Sequence, residues 1–247
     1  MLLFLTKMKV FFARIYSVYA GIVFLLTWVI YLLPQLILAQ KTSWHLYALR
    51  INYYWAWTFM FLIRMPVKIV WTVPIDRKKQ YVLCANHFSF FDIPVNYLLG
   101  ISFKYIGKSS ISRVPIFGYM FKKIHIMVNR ESVRSRAESM RHAREAMDQG
   151  FNMCFFPEGG IKSTHPPQMV PFRDGAFRLA AEHRHPVLPV ALHTNHLIMP
   201  DDGRYLLFRQ TIRITIGAPI EPMGISDEEI KNLKQATYQA IQNLLKG

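Results

Sequence analysis

The sequence predicts an α/β fold: a mostly parallel central sheet flanked by helices, preceded by an N-terminal two-helix element associated with a membrane. Three observations support this prediction. The first 65 residues are apolar and lack acidic side chains, strand and helix signals alternate along the remaining chain, and polar residues directly follow several predicted strands. Such alternation is typical of a parallel sheet, and functional sites in these folds gather beyond the carboxyl ends of the strands.

The segment 1–65 is predicted to form two apolar helices. Residues 15–39 carry no charge and are long enough to cross the ~30 Å hydrocarbon core of a bilayer as one helix. Pro34 is expected to kink or end this helix, and the run is too long for a signal peptide, so we expect it to be retained. Residues 44–63 are rich in Trp and Tyr, which favour the headgroup interface. The pair either spans the membrane as a hairpin or inserts into one leaflet; the core of a soluble domain is the alternative.

The charge of the chain is strongly basic and unevenly distributed. The formal net charge is +15, and no acidic residue precedes Asp76. This excess suits an anionic partner, such as nucleic acid, a membrane surface, a phosphorylated substrate or an acidic carrier protein. The chain has no recognisable nucleic-acid-binding motif, so no nucleic-acid partner is expected. Basic residues near the ends of the helix pair place both ends on the cytoplasmic side: Lys7, Lys9, Arg14, Arg64 and Lys68.

Residues 66–247 are predicted to form one α/β domain. Apolar runs rich in β-branched and aromatic residues predict its strands, at residues 67–73, 81–85, 103–107, 125–129, 152–156, 187–194 and 211–217. Helices are predicted after Asp92 and over residues 116–122, 132–150, 174–184 and 226–245. Gly150 closes the third of these helices, and a capping box formed by Ser226 and Glu229 opens the last one.

The motif Asn-His-x4-Asp occurs twice, beginning at Asn86 and at Asn195. A carboxylate beside a histidine orients the imidazole and stabilises its protonated form, which makes the pair a minimal general base. His87 directly follows a buried predicted strand and lies where a helix should begin. The second motif runs into a Pro-Asp-Asp-Gly turn signal, so its Asp is expected to cap a connecting loop. We therefore assign the chemistry to His87 and Asp92 and interpret the second motif as a chance match.

Further polar features follow the later strands in order. Arg130 comes directly after the strand 125–129, and Pro157-Glu158-Gly159-Gly160 follows the strand 152–156. The next strand is apolar and is interrupted by Pro189. Because the carboxyl ends of parallel strands share one edge of a sheet, we expect one site that combines a base, a cation, a carboxylate and a glycine turn.

This ordered series resembles the glycerolipid acyltransferase family, which includes the 1-acylglycerol-3-phosphate acyltransferases. The first block of that family is matched by Asn86, His87, Ser89 and Asp92. The second block is matched by Arg130, and the fourth by the apolar strand 187–190 with its proline. The third, typically Phe-Pro-Glu-Gly-Thr-Arg-Ser, is matched by Phe156, Pro157, Glu158, Gly159 and Ser163. The resemblance covers roughly residues 80–195.

The resemblance implies a membrane-bound O-acyltransferase that needs no cofactor and forms no covalent enzyme intermediate. His87 is the implied base for the acceptor hydroxyl, and Asp92 orients it. The donor is acyl-CoA or acyl carrier protein, and the acceptor is a lysophospholipid, first of all 1-acylglycerol-3-phosphate, which gives phosphatidate. The implied acceptor-binding residues are Ser89, Lys108, Arg130, Glu158, Gly159 and Lys162. The implied location is an inner membrane of bacterial type, with the catalytic domain facing the cytoplasm.

The third block departs from the family pattern, because Gly160-Ile161 stands where Thr-Arg is usual. Lys162 is then the cation available in place of that arginine. The acceptor therefore stays open between lysophosphatidate, a lyso-amino-acid lipid and another lysolipid acylated by the same mechanism. A backbone amide at Gly159 or Gly160 is a candidate donor to an oxyanion. A catalytically inactive, membrane-anchored basic binding protein is the alternative of a different class.

The remaining reactive side chains have simpler interpretations. Cys84 and Cys154 lie in apolar strand runs and are expected to be reduced and buried, although Cys154 as an acyl-carrying nucleophile is a rival mechanism. His183 and His185 lack a carboxylate or cysteine that would complete a metal site, so no metal is expected. The arginines of the helix 132–150 are expected to form a solvated face.

Overall fold

The computed structural model describes residues 2–247, with side chains from residue 7 onward. Within that part the chain forms a seven-stranded sheet. Its strands are β1 (Val67–Trp71), β2 (Val82–Ala85), β3 (Phe103–Lys108), β4 (Ile126–Val128), β5 (Asn152–Phe155), β6 (Val187–Leu192) and β7 (Ile212–Ile216). The strand order is β1-β7-β6-β2-β5-β3-β4, and all neighbours are parallel except β6 and β7. The predicted, mostly parallel sheet is confirmed.

Eight α-helices accompany the sheet in the described residues. They are α1 (Leu2–Leu38), α2 (His45–Leu62), α3 (Asp92–Asn96), α4 (Phe117–Ile124), α5 (Val133–Asp148), α6 (Gly175–His183), α7 (Asn195–Ile198) and α8 (Asp227–Lys246). The predicted capping box opens α8, where Ser226 and Glu229 satisfy each other's backbone N–H. Pro34 does not end α1, which continues to Leu38, and the next residue, Gln35, donates to Asn52 Oδ1 of α2 at 2.7 Å, which holds the last turns against α2. The short helix α7 lies where the sequence predicted only a loop.

Alternate side chains of the central strands point into two apolar layers. Val82 and Cys84 of β2 face a core shared with α5, α6 and α8, whereas Leu83 and Ala85 face a core shared with α2 and α3. All four side chains are fully buried. Because helices cover both faces of the sheet, its central strands read in the sequence as continuous apolar runs.

The predicted pair of N-terminal helices, α1 and α2, is present and packs as a hairpin. Buried small side chains recur at every seventh position of α1, at Ala13, Ala20 and Thr27. They form a narrow seam along which α2 can approach closely. The Trp55 Nε1–H of α2 donates to Thr27 Oγ1 at 3.2 Å within this seam. The apolar cores of the hairpin and of the sheet are continuous, since Trp55 belongs to the same buried layer as Leu83.

Helix α1 lies half-buried along the protein. Tyr16 donates to the carbonyl of Ile63 at 2.9 Å, and the Leu207 N–H donates to Ser17 Oγ at 2.7 Å. Its opposite face exposes large apolar side chains, at Ile22, Leu25, Leu26, Val29, Ile30, Leu33 and Ile37. Among the described helices, only Lys7–Leu38 is long and apolar enough to cross a membrane.

Candidate active site

His87 and Asp92 form a close pair beyond the carboxyl end of β2. The His87 Nδ1 lies 2.9 Å from Asp92 Oδ2, and Asp92 is fully buried. The same oxygen accepts the backbone N–H of Phe88 at 2.8 Å and of Ser89 at 2.9 Å. These contacts assign the imidazole proton to Nδ1, since an ionised carboxylate can only accept. The other ring nitrogen, Nε2, is then an acceptor, which is the form a general base requires.

Asn86 fixes the point at which the chain leaves β2. Its Nδ2 donates to the Leu192 carbonyl at 3.1 Å, and its Oδ1 accepts the Leu192 N–H at 2.8 Å. The side-chain amide of Asn86 thus forms the same pair of hydrogen bonds with Leu192 that the backbone of a neighbouring strand would form. Because β6 is the parallel neighbour of β2, this contact holds the carboxyl ends of the two strands side by side. The position of His87 is therefore set by backbone that cannot easily shift.

The imidazole of His87 is held by an aromatic stack. The ring of Phe156, which follows β5, stacks on it with 3.9 Å between centroids and 15° between planes. Tyr105 stacks in turn on Phe156 at 5.7 Å. Only 9% of the His87 side chain is exposed. The stack fixes the plane of the imidazole.

Glu158 lies behind His87 and is only 1% exposed. Its Oε1 accepts the backbone N–H of His87 at 2.7 Å, and its Oε2 accepts that of Val170 at 3.1 Å. Burial raises the pKa of this carboxyl to about 7, against the lowering effect of those two hydrogen bonds. The resemblance implied that Glu158 contacts the acceptor. The structure instead places both of its oxygens on backbone groups, one of which belongs to the base.

Three cationic side chains converge on the turn after β5. Arg130 Nη1 donates to the Gly159 carbonyl at 2.6 Å, and burial, with the nearby charge of Arg173, lowers the pKa of its guanidinium. A Cβ on Gly159, whose φ is +77°, would lie 2.6 Å from Arg173 Nε. A Cβ on Gly160 would lie 3.1 Å from Arg130 Nη1 and 4.0 Å from Lys162 Cε. Arg173 was not identified as a site residue from the sequence. Its position just before α6 was the one signal available for it.

The other residues that the resemblance implied occupy different settings. Lys108 is the exposed last residue of β3, beside the end of β4, and forms no hydrogen bond with the site in the described part of the chain. Ser89 is fully buried, where its hydroxyl donates to the Met199 carbonyl at 2.7 Å and accepts the Phe91 N–H at 3.0 Å. The Gly159 N–H donates to a carbonyl of its own turn at 2.9 Å, so it is not free for an oxyanion.

The second Asn-His-x4-Asp motif is not merely a chance match. Asn195 Nδ2 donates to Asp92 Oδ1 at 2.8 Å, so the motif contributes its Asn to the first pair. The interpretation was wrong on this point because the sequence does not reveal that β6 and β2 are neighbours. His196 packs edge-on against the Phe88 ring at 5.8 Å between centroids. Asp201 is exposed in the loop after α7, as expected.

Residues 67–193, just over half of the chain, match the family model described as Acyltransferase. The chain belongs to the acyltransferase family. A 1-acyl-sn-glycerol-3-phosphate acyltransferase of Chlamydomonas reinhardtii is 31% identical over 175 residues, which cover 70% of this chain and 52% of that relative. The chloroplastic enzyme of the same name from Brassica napus, BAT2, is 32% identical over 140 residues, or 56% of this chain and 40% of the relative. The chain thus spans about half the length of the curated relatives it matches.

The fold of this acyltransferase-family protein also has a solved counterpart. The crystal structure of the 1-acyl-sn-glycerophosphate acyltransferase PlsC from Thermotoga maritima superposes with a TM-score of 0.73. The match covers 96% of this chain and 97% of that chain at 21% identity. It shows a shared fold that includes the N-terminal helices. The family resemblance drawn from the four sequence blocks is confirmed, because those blocks lie within residues 67–193.

An apolar cavity of about 400 Å³ lies between the helix hairpin and the helices α3 and α4. Its size is within the range of small-molecule binding sites. Part of its wall is formed by Phe90 and Phe91, in the turn between His87 and Asp92. Its remaining walls are mostly aromatic and aliphatic, and include Phe24, Trp28, Trp55, Phe59, Phe117, Met120 and Phe121. The family fold thus combines a base, a group of cations and an apolar cavity whose wall includes part of the turn between His87 and Asp92.

Proposed function

We propose that this protein is a membrane-bound O-acyltransferase. It moves a fatty acyl group from acyl-CoA or acyl carrier protein to the free hydroxyl of 1-acylglycerol-3-phosphate, giving phosphatidate. The observation that carries the proposal is the 2.9 Å contact between His87 Nδ1 and Asp92 Oδ2, which leaves Nε2 as an acceptor. The relatives named as 1-acyl-sn-glycerol-3-phosphate acyltransferases support the choice of acceptor.

The reaction uses His87 first as a base and then as an acid. Nε2 takes the proton of the acceptor hydroxyl while the hydroxyl oxygen attacks the thioester carbonyl carbon of the donor. The tetrahedral intermediate collapses as the C–S bond breaks, and the departing thiolate takes the proton from Nε2. Asp92 stabilises the imidazolium that exists between these steps. Glu158 supports the same cycle from behind, because it anchors the backbone of His87.

The cations around Gly159 and Gly160 bind the acceptor headgroup. Arg130, Lys162 and Arg173 offer several N–H donors to one small volume, and a phosphate can accept bonds from all three. Repulsion between the guanidinium groups favours an anionic ligand there, since burial and mutual charge both lower the pKa of Arg130. The acyl chain lies in the apolar cavity, with its ester or thioester end near Phe90.

The hairpin 1–65 anchors the domain 66–247 to a membrane. Helix α1 lies in one leaflet and does not cross the bilayer. One face of α1 contacts the protein along its length, and only the opposite face is free for lipid. The segment before and within α4 adds exposed apolar and basic side chains, at Arg113, Val114, Ile116, Tyr119, Lys122 and Lys123. Such mixtures favour an anionic bilayer surface. We place the protein on the cytoplasmic face of a bacterial-type inner membrane.

Activity is tested with the full chain in phosphatidylglycerol-containing vesicles. Acyl-CoA and acyl carrier protein are each offered with lysophosphatidate, glycerol phosphate and a lyso-amino-acid lipid. We expect transfer to lysophosphatidate, and a loss on the order of 10²–10⁴-fold in His87→Ala. His196→Ala, the matched histidine of the second motif, is expected to lose little. An active His87→Ala protein would contradict the mechanism. Acyl transfer only to the lyso-amino-acid lipid would show that this lipid, and not lysophosphatidate, is the acceptor.

The membrane arrangement is tested with single cysteines, because both native thiols are buried. Lys9→Cys and Lys41→Cys lie at opposite ends of α1, and Glu228→Cys marks the catalytic domain. In sealed vesicles with the protein bound outside, a membrane-impermeant maleimide should label all three. Protection of Lys41→Cys alone, reversed by opening the vesicles, would show that α1 crosses the bilayer.

A further inference from the structure

The buried carboxylate of Asp92 has a hydrogen-bond partner from a distant part of the chain. Asn195 Nδ2 lies 2.8 Å from Asp92 Oδ1, although 103 residues separate them. Both side chains are buried, at 1% and 0% exposure. Bulk water is therefore not available to replace this contact.

The two oxygens of Asp92 are held in different ways. Oδ2 accepts from His87 Nδ1 and from the backbone N–H groups of Phe88 and Ser89. Those backbone donors lie in the same short turn as Asp92, so they move with it. Oδ1 has Asn195 as its donor in the described structure. Asn195 is therefore the contact that ties the carboxylate plane to the sheet.

The orientation of the Asn195 amide is dictated by Asp92. Asn195 Oδ1 is buried and finds no donor within residues 2–247. Turning the amide over would aim this oxygen at a carboxylate oxygen, so that two acceptors faced each other. The fold leaves one buried oxygen unpaired and keeps an N–H on Asp92, although buried polar atoms are normally satisfied.

The backbone around Asn195 is as firmly placed as that around His87. Asn195 opens α7 three residues after Leu192, the end of β6. Asn86, the residue before His87, forms two side-chain hydrogen bonds with the backbone of that same Leu192. The base and its distant support therefore stand on adjacent, cross-linked strand ends.

We propose that Asn195 is a positioning residue for acyl transfer, whose amide N–H holds the Asp92 carboxylate in the orientation that His87 requires. The proposal rests on the proposed function, because it concerns the same dyad. An N–H donor stabilises an ionised carboxylate and fixes its direction, and a misaligned carboxylate cannot keep the imidazole in its productive tautomer. Asn195 acts through Asp92 and contacts no reacting atom.

The test compares Asn195→Ala and Asn195→Asp with His196→Ala, the neighbouring control in α7. Steady-state rates of the full chain in vesicles are measured against pH. In Asn195→Ala we expect kcat to fall on the order of 10- to 100-fold with the KM for the acceptor unchanged. In Asn195→Asp the introduced carboxyl lies beside Asp92 Oδ1, where two carboxylates cannot both ionise easily, so it keeps a proton and donates it to Asp92 in place of the amide N–H. The ratio of kcat in this variant to kcat in the wild-type should therefore fall as pH rises and that proton is lost.

The ionisable neighbours of Asp92 in the described chain are His87, Glu158 and His196, and Asn195→Asp alters none of them. The fall of this ratio with pH therefore reports the introduced carboxyl. Wild-type kcat in Asn195→Ala, or a kcat ratio for Asn195→Asp that does not change with pH, would overturn the proposal. A merely structural role would lower the melting temperature and reduce the active fraction without this dependence on pH. An inactive wild-type protein would instead refute the proposed function.

Discussion

Replacing Glu158 by Gln is expected to make stability less dependent on pH. The carboxyl is 1% exposed, and burial raises its pKa from 4.5 to about 7. The folded state therefore binds this proton more tightly than the unfolded state does. Well below pH 4.5 the carboxyl is protonated in both the folded and the unfolded state, so it does not lower the free energy of unfolding. As pH rises from 4.5 to about 7, the unfolded state releases the proton first, and the folded protein loses stability.

The magnitude follows from the displacement of the pKa. A rise from 4.5 to about 7 corresponds to about 3 kcal/mol of unfolding free energy lost by about pH 8. For a chain of this size, 1 kcal/mol moves the melting temperature by roughly 2–4 °C. The glutamine side chain of the variant cannot ionise. Part of this loss already occurs below pH 5, so the melting temperature of Glu158→Gln minus that of the wild-type should increase by roughly 5–10 °C between about pH 5 and pH 8.

The assay is the thermal unfolding of both proteins in one detergent, followed by the fluorescence of the five tryptophans. Glu138→Gln, at an exposed position of α5, controls for the loss of a surface charge. A melting-temperature difference that is the same at the acidic and the alkaline end of this range would refute the reasoning. We also expect Glu158→Gln to lower kcat, because one amide oxygen must then serve the two N–H groups that the carboxylate serves now.

Three further predictions follow from contacts around the site. Asn86→Ala should lower the unfolding free energy by about 2–4 kcal/mol, measured by denaturant titration, because it leaves a buried N–H and carbonyl of β6 unpaired. Gly159→Ala should cost ~1–2 kcal/mol and raise the KM for the acceptor, since its φ is +77° and the new methyl would displace Arg173. Cys84 and Cys154 should resist maleimide in the native protein, as burial raises the pKa of both thiols; rapid labelling with loss of activity would revive a thiol mechanism.

The sequence was sufficient for those features that are encoded locally. Strands such as β2 and β6 are apolar throughout because both faces of the sheet are covered, and that pattern is visible without a structure. The His87–Asp92 pair was also predictable, since its members are only five positions apart and a turn must bring them together. The capping box of α8 belongs to the same class of short-range signal.

Contacts between distant segments could not be predicted from the sequence. The attachment of Glu158 to the backbone of His87 depends on β5 lying beside β2, and the contact of Asn195 with Asp92 depends on β6 lying on the other side. The local sequence pattern does not predict this strand order. For that reason the second Asn-His-x4-Asp motif was interpreted as a chance match. Arg173 was missed for the same reason, because its neighbours come from the turn after β5.

The bond between Ser17 and the backbone of Leu207 has a consequence for how the protein is made. Its two halves are 190 residues apart, so α1 leaves the ribosome long before the loop that will cover its inner face exists. During that interval only α2 is available to cover part of α1, and a nearby bilayer is an apolar surface that the rest of the helix can contact. We expect the nascent chain to settle on lipid first and the domain to assemble against it, so that arrival at the membrane precedes completion of the fold.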